Sequence, residues 1–191
     1  MLQEAIQLSD RFVPHRGDES NGWESLTLHG LGEDKTGIFS DYGYSHGGDA
    51  RKDMFWTKAA HESPVTMNFL QNNYPSKLLG RVRFMKLKAG GHIGLHSDSS
   101  KPIIDNINLV LNNPEKCVWY WEDGTSVDMK PGIAYGMNIH YQHTIRNESN
   151  EDRYHMIITS HEATDEWKKL LTTASAKLGV SSEFIPIDFL A

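Results

Sequence analysis

The sequence predicts a mainly β domain, either an all-β sandwich or a small barrel, with helices on both flanks. About eight short strand-like runs lie between Arg81 and Ser160, and turn residues separate them at even spacing. Asp123-Gly124 is a strong hairpin signal between the runs CVWYWE and TSVDM. The chain has 191 residues, of which 38% are hydrophobic, so it carries enough apolar material for one packed core.

We expect a single domain with three parts in chain order. Residues 1–75 are predicted to hold N-terminal helices, over residues 2–6 and 63–72, a strand over residues 23–29, and a lid-like loop over the glycine- and tyrosine-rich residues 30–53. Residues 76–161 are predicted to form the barrel core. Residues 162–191 are predicted to form a C-terminal helix, from 164 or 165 to 178, and an apolar tail that docks on the body.

Composition excludes several classes of function. The formal net charge of −6 argues against duplex nucleic acid or an anionic membrane as a partner, since both require clustered Lys and Arg. No apolar run approaches the roughly 20 residues of a membrane span. The single cysteine, Cys117, forms no intrachain disulfide, and the first twelve residues lack the apolar region of a secretory signal, so we expect a cytoplasmic protein.

Four residues are the candidates for chemistry. His96 and Asp98 are two positions apart in a strand-like run, so their side chains are expected to share one face. A His-x-acid triplet alone is weak, because about one is expected by chance in this composition. His143 follows, and ten residues later Arg153 opens the apolar run RYHMIITS. A buried arginine is costly unless an anion pairs with it, although an arginine at a strand end also reaches solvent or forms a structural ion pair.

Taken together, these residues indicate a metal site. Two histidines and one carboxylate form the facial triad of non-haem Fe(II) oxygenases, which leaves three coordination positions open. A 2-oxo acid can fill two of those positions and dioxygen the third. The guanidinium of Arg153 suits the far carboxylate of such an acid, because its planar fork donates two hydrogen bonds.

The pattern His96-x-Asp98, His143 and Arg153 resembles that of the Fe(II)/2-oxoglutarate-dependent dioxygenases. The run RVRFMKLKAGGHIGLHSD, followed by INLVLNN, is similar to the aspartyl/asparaginyl β-hydroxylase branch and its amino-acid hydroxylase relatives. The resemblance covers roughly residues 80–160. It implies a double-stranded β-helix (jelly-roll, cupin-like) fold, with Fe(II), 2-oxoglutarate and O2 as cofactor and reactants.

The same resemblance raises a question about further contacts to the co-substrate. Some relatives carry an arginine and a histidine on the strand that matches INLVL, where this chain has Asn106 and Asn108. Asn108 is a candidate donor to 2-oxoglutarate, and a structural asparagine is the equal alternative.

Alternatives stay open from the sequence. His140 is the rival third ligand, but it lacks an arginine ten residues later. A cupin-type Zn or Mn enzyme that does not use 2-oxoglutarate, and an inactive ligand-binding barrel, are the other classes of protein that the sequence leaves open.

His155 is interpreted as a packed core residue that also faces the pocket. His15 and four other histidines are interpreted as surface or loop residues. The substrate is expected to be a small molecule or a peptidyl side chain, and the sequence does not define the oligomeric state.

Overall fold

Two facing β-sheets form the body of the protein. The computed structural model describes residues 1–17, 21–75, 78–98, 106–160, 165, 168–169 and 184–187. The strands in these ranges are β1 (Val13–Pro14), β2 (Trp23–Gly30), β3 (Phe55–Trp56), β4 (Leu79–Leu87), β5 (His92–His96), β6 (Asn106–Val110), β7 (Cys117–Trp121), β8 (Ser126–Val127), β9 (Ala134–Met137), β10 (His143–Asn147), β11 (Arg153–Ser160) and β12 (Phe184–Ile187). The α-helices are α1 (Leu2–Gln7), α2 (Gly47–Ala50), α3 (Lys58–His61) and α4 (Pro64–Asn68).

The eight strands from β4 to β11 are divided equally between the two sheets, and they alternate along the chain except at the β7-β8 hairpin. The larger sheet contains the order β4-β11-β6-β9, and the smaller sheet has the order β5-β10-β7-β8. All the pairings are antiparallel. This is the double-stranded β-helix, so the fold class is confirmed, and its core strands lie within the predicted 76–161 range.

Strands from outside this core extend the larger sheet. Strand β2 pairs with β4 and is flanked by β1 and β3, while β12 pairs with β9. The predicted docking of the apolar tail is therefore found at residues 184–187. The predicted C-terminal helix lies almost wholly outside the described residues.

The larger sheet has two buried faces, and each strand follows the period-two pattern. Tyr154, Met156 and Ile158 of β11 pack in one core, against the N-terminal helices. The opposite face of the same strand carries Arg153, His155, Ile157 and Thr159. The second core lies between the two sheets; its buried members are Leu87, Ile93, Val110, Cys117, Trp119, Val127, Met129, Tyr135, Met137, Ile139 and Ile145. The face of the larger sheet that carries Arg153, His155 and Thr159 is therefore directed toward the smaller sheet.

The N-terminal elements agree with the predictions in most respects. The first helix is α1, and the helix predicted over residues 63–72 is α4 continued by one π-helical segment, Phe69–Asn73. Ser63 is the N-cap residue of α4 and Pro64 begins the helix, as predicted, but the Ser63 side chain forms no capping hydrogen bond, because its hydroxyl donates to the Ala59 carbonyl at 2.9 Å. Residues 30–53 contain α2 and two 3-10 helices, Phe39–Tyr42 and Arg51–Asp53. Within the described ranges, no helix is long and apolar enough to cross a membrane.

Candidate metal centre and its cavity

His96 and His143 come together because their strands are neighbours. Strand β10 pairs with β5 in a register that places His143 directly opposite His96. Opposite residues of an antiparallel pair project from the same face of the sheet at close range. The two imidazole ring centres are consequently 4.4 Å apart.

Asp98 completes the group from a bend just beyond β5. Its backbone N–H donates to the Ile139 carbonyl at 2.9 Å, which fixes this bend against the segment that leads into β10. Its Oδ2 lies 3.5 Å from His96 Nε2 and 3.7 Å from His143 Nε2. Strand parity alone therefore does not position Asp98, since the residue lies outside the strand and this backbone contact holds it.

The two imidazoles present the correct nitrogens to a metal ion. His96 Nδ1 lies 2.7 Å from the Gly94 carbonyl, and His143 Nδ1 lies 3.0 Å from the Tyr141 carbonyl. Because a carbonyl only accepts, each Nδ1 carries the proton, and the neutral ring leaves the Nε2 lone pair free for a cation. One ligand atom from each of His96, Asp98 and His143 lies within 4.8 Å of the others. Among the described residues, this is the one group of three such side chains whose ligand atoms are close enough together to hold a metal ion.

Electrostatics keep Asp98 ionised. Burial favours the protonated carboxyl, but His143, His96 and Arg16 together hold the pKa of Asp98 well below its usual range. Burial likewise favours neutral His96, yet contacts with Asp98 and with the Gly94 carbonyl raise the pKa of this imidazole. A proton and a metal ion therefore compete for the same position at His96.

Arg16 holds the second oxygen of the carboxylate. Its Nη2 donates to Asp98 Oδ1 at 2.9 Å, which leaves Oδ2 directed at the histidines. The residue has φ 57°, in the left-handed region that non-glycine residues seldom occupy. Such backbone conformations concentrate at functional sites, where the surrounding structure maintains them.

Tryptophan side chains enclose the histidines. The Trp119 ring stacks on His143 with 4.5 Å between ring centres and 11° between planes. Trp23 lies 6.0 Å from His96. Both indole N–H groups are buried and have no hydrogen-bond partner in the described structure. Both tryptophans line the cavity described below, and a buried N–H group without a partner is unusual in a folded protein.

The three candidate ligands line a cavity of about 210 Å³ between the sheets. Asn108 and His155, both buried, form part of its wall, as do Arg81 and Arg83. Asn108 therefore lines the cavity, and its role as a contact to the co-substrate stays a prediction. His155 is at once a packed residue and a cavity residue, as the sequence indicated.

Arg153 lies behind the cavity wall. It is 1% exposed and is not among the residues that line the cavity. Its Nη1 donates to His155 Nδ1 at 2.9 Å, its Nε donates to Asn113 Oδ1 at 3.2 Å, and its Nη2 contacts Met129 Sδ at 3.2 Å. Burial and the nearby Arg153 and Arg83 lower the pKa of His155, so its neutral ring accepts this hydrogen bond. No carboxylate in the described ranges forms an ion pair with Arg153, and its role as a carboxylate anchor stays a prediction.

The rival histidine does not join the metal group. His140 is exposed and belongs neither to the ligand cluster nor to the cavity lining of the described structure. The choice of His143 over His140 therefore agrees with the geometry.

Sequence reasoning missed part of the cavity wall. The interpretation of His15 as a surface or loop residue needs a correction: the residue lies in the short 3-10 turn between β1 and β2, but it is only 2% exposed, and its Nδ1 forms a hydrogen bond with Ser25 Oγ at 2.8 Å. Arg16 was also missed, because nothing in its local sequence signals a contact with a residue 82 positions later. Arg81 and Arg83 did leave a signal, since they alternate with apolar residues along one strand-like run.

Burial of His15 makes stability depend on pH. Burial, followed by the nearby Arg83 and Arg16, lowers the pKa of His15 from 6.5 to about 2. Between pH 7 and pH 5 the unfolded chain takes up a proton that folded His15 does not, so stability falls as the pH falls. This residue should lower the free energy of unfolding by about 2 kcal/mol over that range.

Urea denaturation at pH 7, 6 and 5 checks this prediction. The His15→Gln variant should lose this part of the pH dependence, whereas His61→Gln, which changes an exposed histidine, should keep the wild-type slope. An unaltered slope in His15→Gln would contradict the assignment.

Fold and site together define a jelly-roll protein with a two-histidine, one-carboxylate centre. The family model described as aspartyl/asparaginyl beta-hydroxylase matches residues 2–162. The chain belongs to this family, and the resemblance noted in the sequence is confirmed. Membership places it in a family whose description is that of a hydroxylase.

The first of three similar solved structures agrees with this chain at the level of the fold. An oxidoreductase of the 2OG-Fe(II) oxygenase family from Burkholderia pseudomallei is 11% identical, with a TM-score of 0.51, over 83% of this chain and 76% of that chain. A Pseudomonas putida prolyl-4-hydroxylase is 11% identical, with a TM-score of 0.43, over 83% of each chain. A cupin domain from Bordetella pertussis is 18% identical, with a TM-score of 0.35, over 41% of this chain and 78% of that chain. None of the curated proteins compared with the sequence matches it significantly.

Proposed function

We propose that the protein is a non-haem Fe(II)- and 2-oxoglutarate-dependent oxygenase that hydroxylates an unactivated C–H bond. The reaction consumes 2-oxoglutarate, O2 and the substrate, and it yields succinate, CO2 and the hydroxylated product. The observation that carries the proposal is the convergence of His96, Asp98 and His143 in the wall of one cavity. The same wall includes Trp23, Arg83 and Trp119, each with a buried N–H that has no partner among the described residues.

The donor set fits Fe(II). Two neutral imidazoles and one carboxylate are the ligands of the facial triad, and the hydrogen bonds at both Nδ1 atoms aim Nε2 at the shared space. When bound, the ion supplies the binding and activation of O2, and the protein positions the reactants and excludes water. Arg16 holds Asp98 in place through Oδ1, and Trp119 limits rotation of His143 by stacking on it.

We assign the 2-oxoglutarate site to the deep part of the cavity. Asn108 offers an amide N–H donor on the cavity wall, and Arg153 offers a buried cation without a carboxylate partner in the described chain. A carboxylate that displaces the neutral His155 acceptor would gain a charge-assisted hydrogen bond from Arg153. This step requires a local rearrangement of His155, and the rearrangement is part of the proposal.

The substrate is proposed to be amino-acid-like, peptidyl or a small metabolite. A cavity of about 210 Å³ admits a small molecule or one side chain rather than a folded surface. The net charge of −6 gives no support to a duplex nucleic acid as partner.

One observation favours a second candidate. Arg153 does not line the cavity, which is what a cupin-type metalloenzyme that does not use 2-oxoglutarate would show. Such an enzyme would bind metal through the same three residues and would not depend on Arg153.

Succinate formation separates these candidates. Purified protein is supplied with Fe(II), ascorbate and 2-oxoglutarate, with and without a panel of amino acids and peptides. We expect Fe(II)-dependent succinate formation that one class of panel member stimulates. Metal binding with no succinate in any condition would overturn the oxygenase proposal and favour the cupin-type enzyme or an inactive barrel.

A further inference from the structure

Two arginines on β4 face the same cavity as the candidate metal ligands. Arg81 and Arg83 are two positions apart, so strand periodicity directs both to one face, and both line the cavity. Arg83 is buried and Arg81 is half-buried. In the ranges that the structure describes, no carboxylate forms an ion pair with either guanidinium.

Most of the N–H donors of this pair have no hydrogen-bond partner among the described residues. Arg81 donates from Nη1 to the Gly37 carbonyl at 2.6 Å. Arg83 uses its Nη1 for two long contacts, with the Thr36 carbonyl at 3.4 Å and His15 Nε2 at 3.5 Å. Arg83 Nε is buried without a partner in the described structure. Each guanidinium has five N–H donors, so the pair can still bind an acceptor-rich group.

The charged side chains that line the cavity also favour the binding of an anionic ligand. Among the described residues that line it, three are arginines and one, Asp98, is a carboxylate that already pairs with Arg16. A bound divalent cation would add positive charge. The cationic cavity contrasts with the net charge of −6 of the whole chain, so its lining is not a consequence of overall composition.

The arginine pair is distinct from the Arg153 site. In the larger sheet Arg153 lies opposite Leu87, and Arg83 lies opposite Ile157. The four-residue offset corresponds to about 13 Å along the strands. Arg153 contacts Asn113, Met129 and His155, whereas the arginine pair contacts Gly37, Thr36 and His15, so the two share no hydrogen-bond partner among the described residues. The two sites therefore differ in their position along the sheet and in their hydrogen-bond partners.

Residues 36–39 cover the arginine pair. Besides the two carbonyl contacts, the Phe39 ring lies 4.6 Å from the Arg81 guanidinium carbon, and Phe39 itself lines the cavity. This wall belongs to the segment predicted as a lid. It shields the pair from solvent, which strengthens a hydrogen bond between a guanidinium and an anion.

We infer that Arg81 and Arg83 bind a carboxylate of the substrate, which makes the protein selective for substrates with a free carboxylate. This inference rests on the proposed oxygenase function, in which Arg153 binds the distal carboxylate of the co-substrate. With the co-substrate held there, the second cationic site is left for the substrate. A planar carboxylate matches the guanidinium fork with two parallel hydrogen bonds.

The test compares Arg81→Gln and Arg83→Gln with Arg146→Gln, a control that changes an exposed arginine on β10. The probes are free L-amino acids and the same compounds with the α-carboxylate converted to a carboxamide, assayed with Fe(II)-loaded enzyme. We expect only the carboxylates to stimulate succinate formation. Each cavity variant should raise the KM for the stimulating compound about tenfold or more, and raise it at least tenfold more than the KM for 2-oxoglutarate. Arg146→Gln should match the wild type.

Three results would overturn the inference: equal stimulation by the carboxamides, an unchanged substrate KM in both cavity variants, or an increase confined to the KM for 2-oxoglutarate. If Arg83→Gln does not fold, the substrate KM of Arg81→Gln decides the inference, because Arg81 is only half-buried and its replacement disturbs the packing less.

If no compound yields succinate, the proposed function fails, and thermal unfolding of the metal-loaded protein with the same probes decides the inference. A rise in Tm that requires the carboxylate and is lost in Arg81→Gln supports it. No rise, or an equal rise in that variant, overturns it.

Discussion

The His96→Ala variant is expected to lose both tight Fe(II) binding and succinate formation. His96 supplies one of three candidate ligand atoms that lie within 4.8 Å of one another. Loss of a residue that merely orients a ligand costs 10- to 100-fold in metal affinity or activity, so loss of the ligand itself should cost more than about 100-fold. Metal content after dialysis against limiting Fe(II), together with the rate of succinate formation, measures both effects.

The matched control is His92→Ala, at the other end of the same strand. His92 is exposed and belongs to neither the ligand cluster nor the cavity of the described structure, so this variant should behave as the wild type. Normal iron stoichiometry in His96→Ala would refute the assignment of His96 as a ligand.

The Arg153→Gln variant is expected to raise the KM for 2-oxoglutarate by about 10- to 100-fold. This range corresponds to the loss of hydrogen bonds between a buried cation and a carboxylate, about 1.5–3 kcal/mol. Glutamine is long enough to keep a contact with Asn113 or His155, so the change removes the charge and leaves most of the packing. The substrate KM should change much less, because the substrate carboxylate is assigned to Arg81 and Arg83. Initial rates at varied 2-oxoglutarate measure the effect.

Arg146→Gln again serves as the control, and Arg153→Lys tests the geometry. Lysine keeps the charge but lacks the planar fork, so it should restore only part of the affinity. A KM for 2-oxoglutarate in Arg153→Gln equal to that in the wild type would move Arg153 out of the co-substrate site. That result would favour the cupin-type alternative.

The fold was predictable because its signals are local. Each core strand is a short apolar run bounded by turn residues, and Asp123-Gly124 marks the β7-β8 hairpin directly. The assignment of the strands to two sheets depends on long-range pairing, which local pattern does not contain, and the family resemblance supplied it. The N-terminal strands β1, β2 and β3 show the limit, since nothing local indicates that they extend the larger sheet.

The residues of the candidate site that belong to the sequence motif were predictable, and those outside the motif were not. The spacing of His96, Asp98, His143 and Arg153 identified the four residues, but their convergence depends on the register that sets His143 opposite His96. Arg16 lies in a turn near the N-terminus, and its contact with Asp98 was not predictable because the two residues are 82 positions apart in the sequence. Arg153 shows the reverse case: its strand and face were predicted, whereas its position behind His155 depends on side-chain packing.

The most direct test of the central claim is a crystal structure of the protein soaked with Mn(II), with the metal located by anomalous scattering. The account predicts one ion at about 2.0–2.3 Å from His96 Nε2, His143 Nε2 and an oxygen of Asp98. An ion bound elsewhere, or a map in which either imidazole faces away from Asp98, would contradict the account.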